Sequence, residues 1–273
     1  MTIIDGKQIA AEILARLKEL PKPEKFLAVV LVGDDPASVS FIKQKEKLAK
    51  EFGVDFRLHQ LPAASGNDEL RREVGRIAAH ATCGGVVVQL PLPEGVNAQY
   101  VLNAVPREKD VDVLGERALG AFYAGRNSVA PPAVETLQEI LKAKSYKLEA
   151  SRVAVVGLGT LIGKPVATWL MGKAKGVWLL GRTSDTAVLK DADVVVLGVG
   201  KPGIVTAAML KEGALVVDFG YSTVDGKLLG DFDPSSIANG QVSHVVSYTP
   251  TPGGTGPVLV AKLFENFYAL NGS

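Results

Sequence analysis

What most restricts this chain is a short apolar run, largely β-branched, that recurs and ends in glycine. "SRVAVVG", "GVWLLG", "DVVVLGVG" and "GALVVDFG" follow one another in the second half; "FLAVVLVG" and "GGVVVQL" stand in the first. A strand with one wet face alternates apolar and polar residues. A run without alternation has to be covered on both faces, and helices are the usual cover. The spacers supply them. "DPASVSFIKQKEKLAKEF" reads as a helix with Asp35 as N-cap and Pro36 at its first position, and "NDELRREVGRIAAHA" as a second, with "VDFRLHQL" a strand between them. The fold class this predicts is α/β, with mostly parallel sheets.

The rhythm breaks once, at the turn-rich "AGRNSVAPP", and a connecting helix "AVETLQEILKA" follows before the pattern starts afresh. A chain of 273 residues is long enough for two modest α/β domains, and the break marks their boundary. "VDGKL" offers an Asp-Gly turn suited to a hairpin. "SHVVSYTPTPGGTGP" reads as a last strand running into a Pro/Gly loop, and "VLVAKLFENFYAL" as a closing helix with Pro257 at its start.

Composition removes several classes of partner. Thirty basic residues against twenty-nine acidic ones leave no global field to hold nucleic acid or an anionic membrane. No apolar run reaches the roughly 20 residues of a membrane span. The opening "MTIIDGKQIAAEILARL" meets Asp5 and Lys7 before any long apolar core, unlike a signal peptide. The single cysteine, Cys83, excludes an internal disulfide, suits a reducing compartment and reads as a buried structural thiol. The expectation is a cytoplasmic protein with no metal site.

In open α/β sheets, ligands sit beyond the carboxyl ends of the strands. That rule selects four loops in the second half: "GLGTLIG" (Gly157, Gly159, Thr160, Gly163), "GRTSD" (Arg182, Thr183), "GVGKPG" (Val199, Gly200) and "DFGYS" (Tyr221). The first loop leads a strand into a helix, the arrangement that turns bare N–H groups toward an anion. It is no Walker loop, since Leu158 and Pro165 stand where that motif needs glycine and a hydroxyl. Three residues rather than two separate Gly159 from Gly163, so the G-x-G-x-x-G fingerprint is not matched either. In nicotinamide enzymes the end of the second strand chooses the cofactor: an acid there holds the ribose hydroxyls, an arginine suits a 2′-phosphate. Here that strand ends in Arg182 and Thr183, with Asp185 farther on.

In the first half, Lys45 draws notice. At about 100° per residue it falls between Phe41 and Phe52 on the apolar stripe Phe41–Leu48–Phe52, with Ile42 and Ala49 on the flank. Two readings are open: a lysine snorkelling along its stem, or a desolvated ammonium that titrates low enough to exchange protons. Gln89 ends a strictly apolar strand, where its amide needs a partner. Asp112 lies in the "KDVD" loop. These three acquire meaning as a set facing one site.

The segments "VGDDPASVSFIKQKEKLAKEFGV", "VVVQLPLP", "KDVD", "VGKPG", "KEGALVVDFG" and "TPTPGGTGP", in this order, resemble the bifunctional methylenetetrahydrofolate dehydrogenase/methenyltetrahydrofolate cyclohydrolase family. The glycine loop is similar to that family's G-x-S-x-x-V-G-x-P dinucleotide loop. The resemblance spans nearly the whole chain. It implies a folate-binding domain over residues 1–129, completed by 252–273, and a Rossmann-type NADP-binding domain over 130–251, with the active-site cleft between them. It implies Lys45 as the catalytic lysine, Gln89 as the residue positioning it, Asp112 on the pterin edge, and Pro252, Gly253 and Gly254 in a loop over the folate. It also implies a homodimer.

The chain departs from the family pattern at several places. Phe41 replaces a tyrosine one turn before Lys45, and Val113 a glycine after "DVD". Leu114–Glu116 stand for "FHP", "APPA" for "PCTP", Gly159 for the loop serine, and "FGYS" for "VGIN". Phe41 keeps a ring that can stack on folate but lacks a hydroxyl for proton relay, so the expectation is a competent dehydrogenase with a weakened cyclohydrolase. Two alternatives remain at this point: another two-domain dehydrogenase, of the shikimate or amino-acid type, and a non-catalytic folate- or nucleotide-binding relative.

Overall fold

The structure, a computed structural model, describes residues 2–238 and 247–272. The chain forms two compact units, one of Met1–Glu12 with Ala133–Leu259 and the other of Ile13–Pro132 with Val260–Ser273. Strand β1 (Thr2–Ile3) and helix α1 (Gly6–Lys18) open the chain, and α1 carries it from one unit into the other.

In the unit built on Ile13–Pro132, β2 (Phe26–Val32), α2 (Pro36–Glu51), β3 (Phe56–Leu61), α3 (Asn67–Ala79) and β4 (Cys83–Val88) alternate. The helices α4 (Ala98–Leu102) and α5 (Glu116–Tyr123) follow. The three strands form a parallel sheet in the order β3-β2-β4. Every residue of β2 and β4 is buried, whereas the edge strand β3 is half-wet. One face packs on Leu70, Val74 and Ile77 of α3 and on Val101 and Leu102 of α4. Cys83 is buried, and burial pushes its thiol up, as suits a structural residue.

Helix α2 starts where its sequence says it should. Asp35 caps it by accepting from the Ser38 N–H at 2.8 Å, and Pro36 occupies the first turn. Its buried face is rotated from the expected stripe. Ser38, Ile42, Lys45 and Ala49 are buried, while Phe41 and Leu48 are half-buried. Small side chains at 38 and 49 let the helix backbone approach the sheet, and the bulkier Phe41 and Leu48 flank that contact. Lys45 lies at the middle of the buried face.

The other unit contains α6 (Pro132–Ala143), β5 (Arg152–Val156), α7 (Gly163–Leu170), β6 (Gly176–Leu180), β7 (Val194–Leu197), β8 (Val205–Thr206) and β9 (Leu215–Asp218). A hairpin of β10 (Ser222–Val224) and β11 (Lys227–Leu229) turns at Asp225 and Gly226, both at positive φ, as an Asp-Gly turn of this kind requires. Then come β12 (Phe232–Asp233), α8 (Ser235–Ala238), β13 (Ser247–Tyr248) and α9 (Thr255–Asn271), the last crossing into the unit of Ile13–Pro132 at Val260. The closing helix begins two residues before the expected Pro257. Of the expected last strand, Ser243–Val246 lie outside the described residues.

The main sheet is parallel, in the order β1-β13-β9-β7-β5-β6. Counted from β5, its successive strands run 2-1-3-4-5, the doubly wound order of a Rossmann-like domain. β1 adds an edge strand by pairing with β13, a partner drawn from the far end of the chain. No helix of the described residues is long and apolar enough to cross a membrane.

Candidate active site and dinucleotide loops

In the unit with the three-stranded sheet, β2 delivers the chain to α2 and β4 delivers it to Gln89. The Gln89 N–H donates to Val30 O at 2.9 Å, so this residue extends the ladder beside β2. Its side chain then has one direction to go. Gln89 Oε1 accepts from Lys45 Nζ at 3.0 Å, and Gln89 Nε2 donates to Leu90 O at 2.8 Å. Both Lys45 and Gln89 are 9% exposed. Of the two readings of Lys45, snorkelling fails: the ammonium points inward and is held.

Burial pulls the Lys45 ammonium below the usual lysine value, and the Asp112 carboxylate opposes that fall. Asp112 answers in kind, raised by burial and held back by Lys45. The two interact through space, with Gln89 rather than Asp112 in hydrogen-bond contact with the amine. A buried amine with a neutral amide as partner gives up its proton more readily than a free lysine, and the nearby carboxylate limits how far that goes. Phe41 stands one helical turn before Lys45 and is half-buried.

The loop that carries Asp112 is built by residues that pattern reading passed over. Asp110 bridges to Val86 of β4, and its buried Oδ2 accepts the N–H groups of Leu114 at 3.0 Å and Gly115 at 2.8 Å. Asn266 of α9 donates to Val111 O at 2.9 Å and Ala130 O at 2.8 Å. An asparagine in the apolar run "VLVAKLFENFYAL" was the available signal for the second anchor. Between them, Val113 is fully buried at φ 55, where a β-branched residue is strained. This is the position of the family's glycine. Its side chain packs on Ala118 and Val129, with Phe122 and Leu270 around them.

In the other unit, the four selected loops lie at the carboxyl ends of their strands. Gly157 follows β5 at φ 90, and a Cβ there would lie 2.6 Å from Gly198 O. A Cβ on Gly163 would collide with the Gly157 carbonyl. These glycines let the β5 and β7 loops meet at the point where the strand order reverses, the crevice in which such sheets bind ligands. Gly159 and Thr160 are exposed, and α7 begins at Gly163 without a side-chain cap; the Lys164 N–H folds back onto Gly159 O at 3.0 Å and Pro165 has none, so the exposed turn rather than the first turn of the helix presents backbone to an anion. After β6, Arg182 and Thr183 are exposed. Ser184 Oγ accepts from the Gly181 N–H at 2.9 Å and shapes the turn. Asp185 accepts from the Ala187 N–H at 2.9 Å, which engages the nearby acid locally and leaves the guanidinium free of it. Val199 and Gly200 are exposed after β7, and Tyr221 is half-buried after β9.

Pro252, Gly253 and Gly254 belong to this second unit. Gly253 O accepts from the Gly6 N–H at 3.1 Å, and a Cβ on Gly6 would collide with the Gly254 carbonyl, so the loop seats on the start of α1. The structure thus gathers Phe41, Lys45, Gln89 and Asp112 in one unit and the dinucleotide loops in the other. Among the described residues no cluster of His, Cys, Asp and Glu has the arrangement of a metal site.

Comparison with known proteins agrees with this geometry. Residues 4–112 match the family model for the tetrahydrofolate dehydrogenase/cyclohydrolase catalytic domain, and residues 131–272 match that for its NAD(P)-binding domain. The bifunctional protein FolD of Exiguobacterium sibiricum is 35% identical, with 97% of each chain covered. The bifunctional methylenetetrahydrofolate dehydrogenase/cyclohydrolase FolD of Campylobacter jejuni superposes with a TM-score of 0.90 at 31% identity, covering 99% of this chain and 98% of that one. The Trypanosoma brucei enzyme, solved with NADP cofactor and an inhibitor, superposes with a TM-score of 0.89 at 28% identity, covering 98% and 96%. With two matching domain models that together span most of its length, the chain belongs to the tetrahydrofolate dehydrogenase/cyclohydrolase family.

Proposed function

We infer that this chain oxidises 5,10-methylenetetrahydrofolate to the 5,10-methenyl cation with NADP, and hydrolyses that cation to 10-formyltetrahydrofolate. The observation that carries this reading is the buried Lys45 amine held by Gln89 and facing the charge of Asp112. Family membership sets aside the shikimate- and amino-acid-type alternatives.

NADP, when bound, supplies the acceptor for the hydride that leaves the carbon bridging N5 and N10. The residues fitted to hold it are Gly157, Gly159, Thr160 and Gly163 at the head of α7, Arg182 and Thr183 after β6, and Val199, Gly200 and Tyr221 around them. Arg182 is the group for the 2′-phosphate, because a guanidinium matches a phosphate with two parallel hydrogen bonds. Hydride loss needs alignment more than proton transfer. We assign that alignment to Asp112 on the pterin edge, Phe41 against its ring, and the Pro252–Gly254 loop.

Hydrolysis needs a base. Water adds to the methenyl carbon as its proton passes to the Lys45 Nζ in the free-amine form that burial favours; the bond from that carbon to N5 then breaks, N5 takes a proton, and the 10-formyl carbonyl forms as the added hydroxyl loses its own. Gln89 Oε1 fixes where that nitrogen sits. In this reading residues 1–129 with 252–273 serve the folate and 130–251 the dinucleotide. The working form is a cytoplasmic homodimer. The deciding experiment follows NADPH and methenyltetrahydrofolate by absorbance, with NADP or NAD supplied. Turnover with either folate excludes the non-catalytic alternative; no turnover with both folates would remove the proposal.

A further inference from the structure

Asp231 is fully buried, and neither of its carboxylate oxygens is idle. Oδ2 accepts from the Val199 N–H at 2.6 Å and the Gly200 N–H at 3.1 Å, and Oδ1 accepts from the Lys201 N–H at 2.7 Å. Three successive backbone N–H groups that converge on one point form an anion-binding concavity. Here the chain fills that concavity with its own carboxylate, brought from a segment thirty residues downstream.

The surroundings are shaped for that carboxylate. A Cβ on Gly220 would collide with the Asp231 carboxyl, so glycine is required there. Asp218, at the end of β9, accepts from the Gly220 N–H at 2.7 Å and the Phe232 N–H at 2.9 Å, which ties the residue after Asp231 to the glycine that packs against its carboxyl. Ser222 Oγ donates to Gly200 O at 2.9 Å and ties the loop from its other side. The held loop in turn bears on the glycine turn: a Cβ on Gly157 would lie 2.6 Å from Gly198 O and 2.9 Å from the Val199 side chain.

We propose that Asp231 is a positioning residue for the dinucleotide: it clamps the Val199–Lys201 loop from behind and sets the wall of the site before any cofactor arrives. This rests on the NADP reading above and goes beyond it. It assigns the two glycine-rich loops different duties. In the first loop the Gly157 N–H is bonded to Leu180 O, and the exposed Gly159 and Thr160 beyond it are left to meet phosphate, whereas the N–H groups of Val199–Lys201 are already taken. The second loop therefore offers the cofactor its outer surface, the exposed Val199 side chain and Gly200, and no N–H donors. Because both oxygens are used, Asp231→Asn cannot substitute: an amide nitrogen would face an N–H on one side.

The test has an arm that needs neither variant nor cofactor. Amide exchange of the wild-type protein without NADP should find Val199, Gly200 and Lys201 protected, and equally so with NADP. Free exchange that slows on adding NADP would overturn the clamp. Calorimetric titration of Asp231→Asn should show NADP affinity reduced ten- to hundredfold. KM for NADP should rise in step, and kcat at saturating NADP should fall less than threefold. The loss in methenyl hydrolysis, which uses no dinucleotide, should be at least tenfold smaller than the loss in affinity. Gly220→Ala, which pushes the carboxylate off the loop, should reproduce this pattern. Wild-type affinity in both variants, or equal loss of both activities with KM unchanged, would overturn the proposal. A wild-type chain that bound no NADP would overturn the cofactor assignment instead, and the exchange arm would still decide whether the clamp exists.

Discussion

Lys45 Nζ donates to Gln89 Oε1 across 3.0 Å, so a helix residue and a strand-end residue meet inside the protein through a neutral amide. A carboxylate in place of that amide would lock the proton onto the lysine. The amide orients the amine without fixing its charge, and burial then lowers its proton affinity. Lys45→Met should cut methenyl hydrolysis by at least about a hundredfold, the usual scale for loss of a general base. Hydride transfer should fall less, since no proton leaves the reacting carbon in that step. The melting temperature should fall without loss of the fold, because Met fills the volume of the lysine stem but leaves Gln89 Oε1 unpaired and Asp112 without its counter-charge. Steady-state rates for both reactions and a thermal melt check this; undiminished hydrolysis in the folded variant would take Lys45 out of the mechanism.

Phe41 lies one turn from Lys45 on the same helix, half-buried, with a ring but no hydroxyl. A missing hydrogen-bond partner at a buried site typically costs ~1–3 kcal/mol, roughly tenfold to a hundredfold in rate. Phe41→Tyr should therefore raise hydrolysis about tenfold while folate KM and hydride transfer move little. Comparing the two rates in one preparation makes the test, and an unchanged ratio would refute the relay.

Arg182 is exposed in a turn whose neighbouring acid, Asp185, is engaged with the Ala187 N–H. Arg182→Ala should raise KM for NADP by about tenfold to a hundredfold, the scale of a lost charge-assisted bidentate contact, and leave KM for NAD nearly unchanged. Cofactor preference should largely vanish. Equal use of NAD and NADP by the unmutated protein would contradict the assignment.

Asp110 is buried, and burial pushes its carboxyl up to about 6, although the N–H groups of Gly115 and Leu114 pull the other way; the charge of Asp112 adds to the rise. The folded state therefore binds this proton more tightly than the unfolded chain, whose carboxyl sits at 3.8. The stability this proton confers is full below the unfolded value and is lost as pH rises through about 6. Both N–H groups reach the same oxygen, Oδ2, so an amide oxygen can keep them. Asp110→Asn should match wild type near pH 4 and become more stable by up to about 3 kcal/mol near pH 7, on the scale of 1.4 kcal/mol per pKa unit. Asp218, raised by burial to about 6, keeps a slope of the same sign in both proteins, so the difference between their denaturant curves is the quantity to read. A variant less stable than wild type at pH 7 would defeat this account.

The sequence by itself determined the parallel sheets, because runs such as Val194–Leu197 have no polar face to leave in water. It determined the hairpin at Asp225–Gly226 and the capped start of α2, both effects of a few adjacent residues. It also put Lys45 on the buried side of its helix, since helical period alone places it there. It left open whether that lysine escapes to solvent, a question decided by Gln89 from another strand. The tertiary structure likewise decided that Thr2–Ile3 pair with Ser247–Tyr248, that Asn266 anchors Val111, and that Asp231 fills the Val199–Lys201 concavity. Each of these joins segments far apart in the chain and satisfies a buried polar group. Local periodicity reports which face of an element is apolar; it carries no information about which distant partner will meet the polar group that is buried with it.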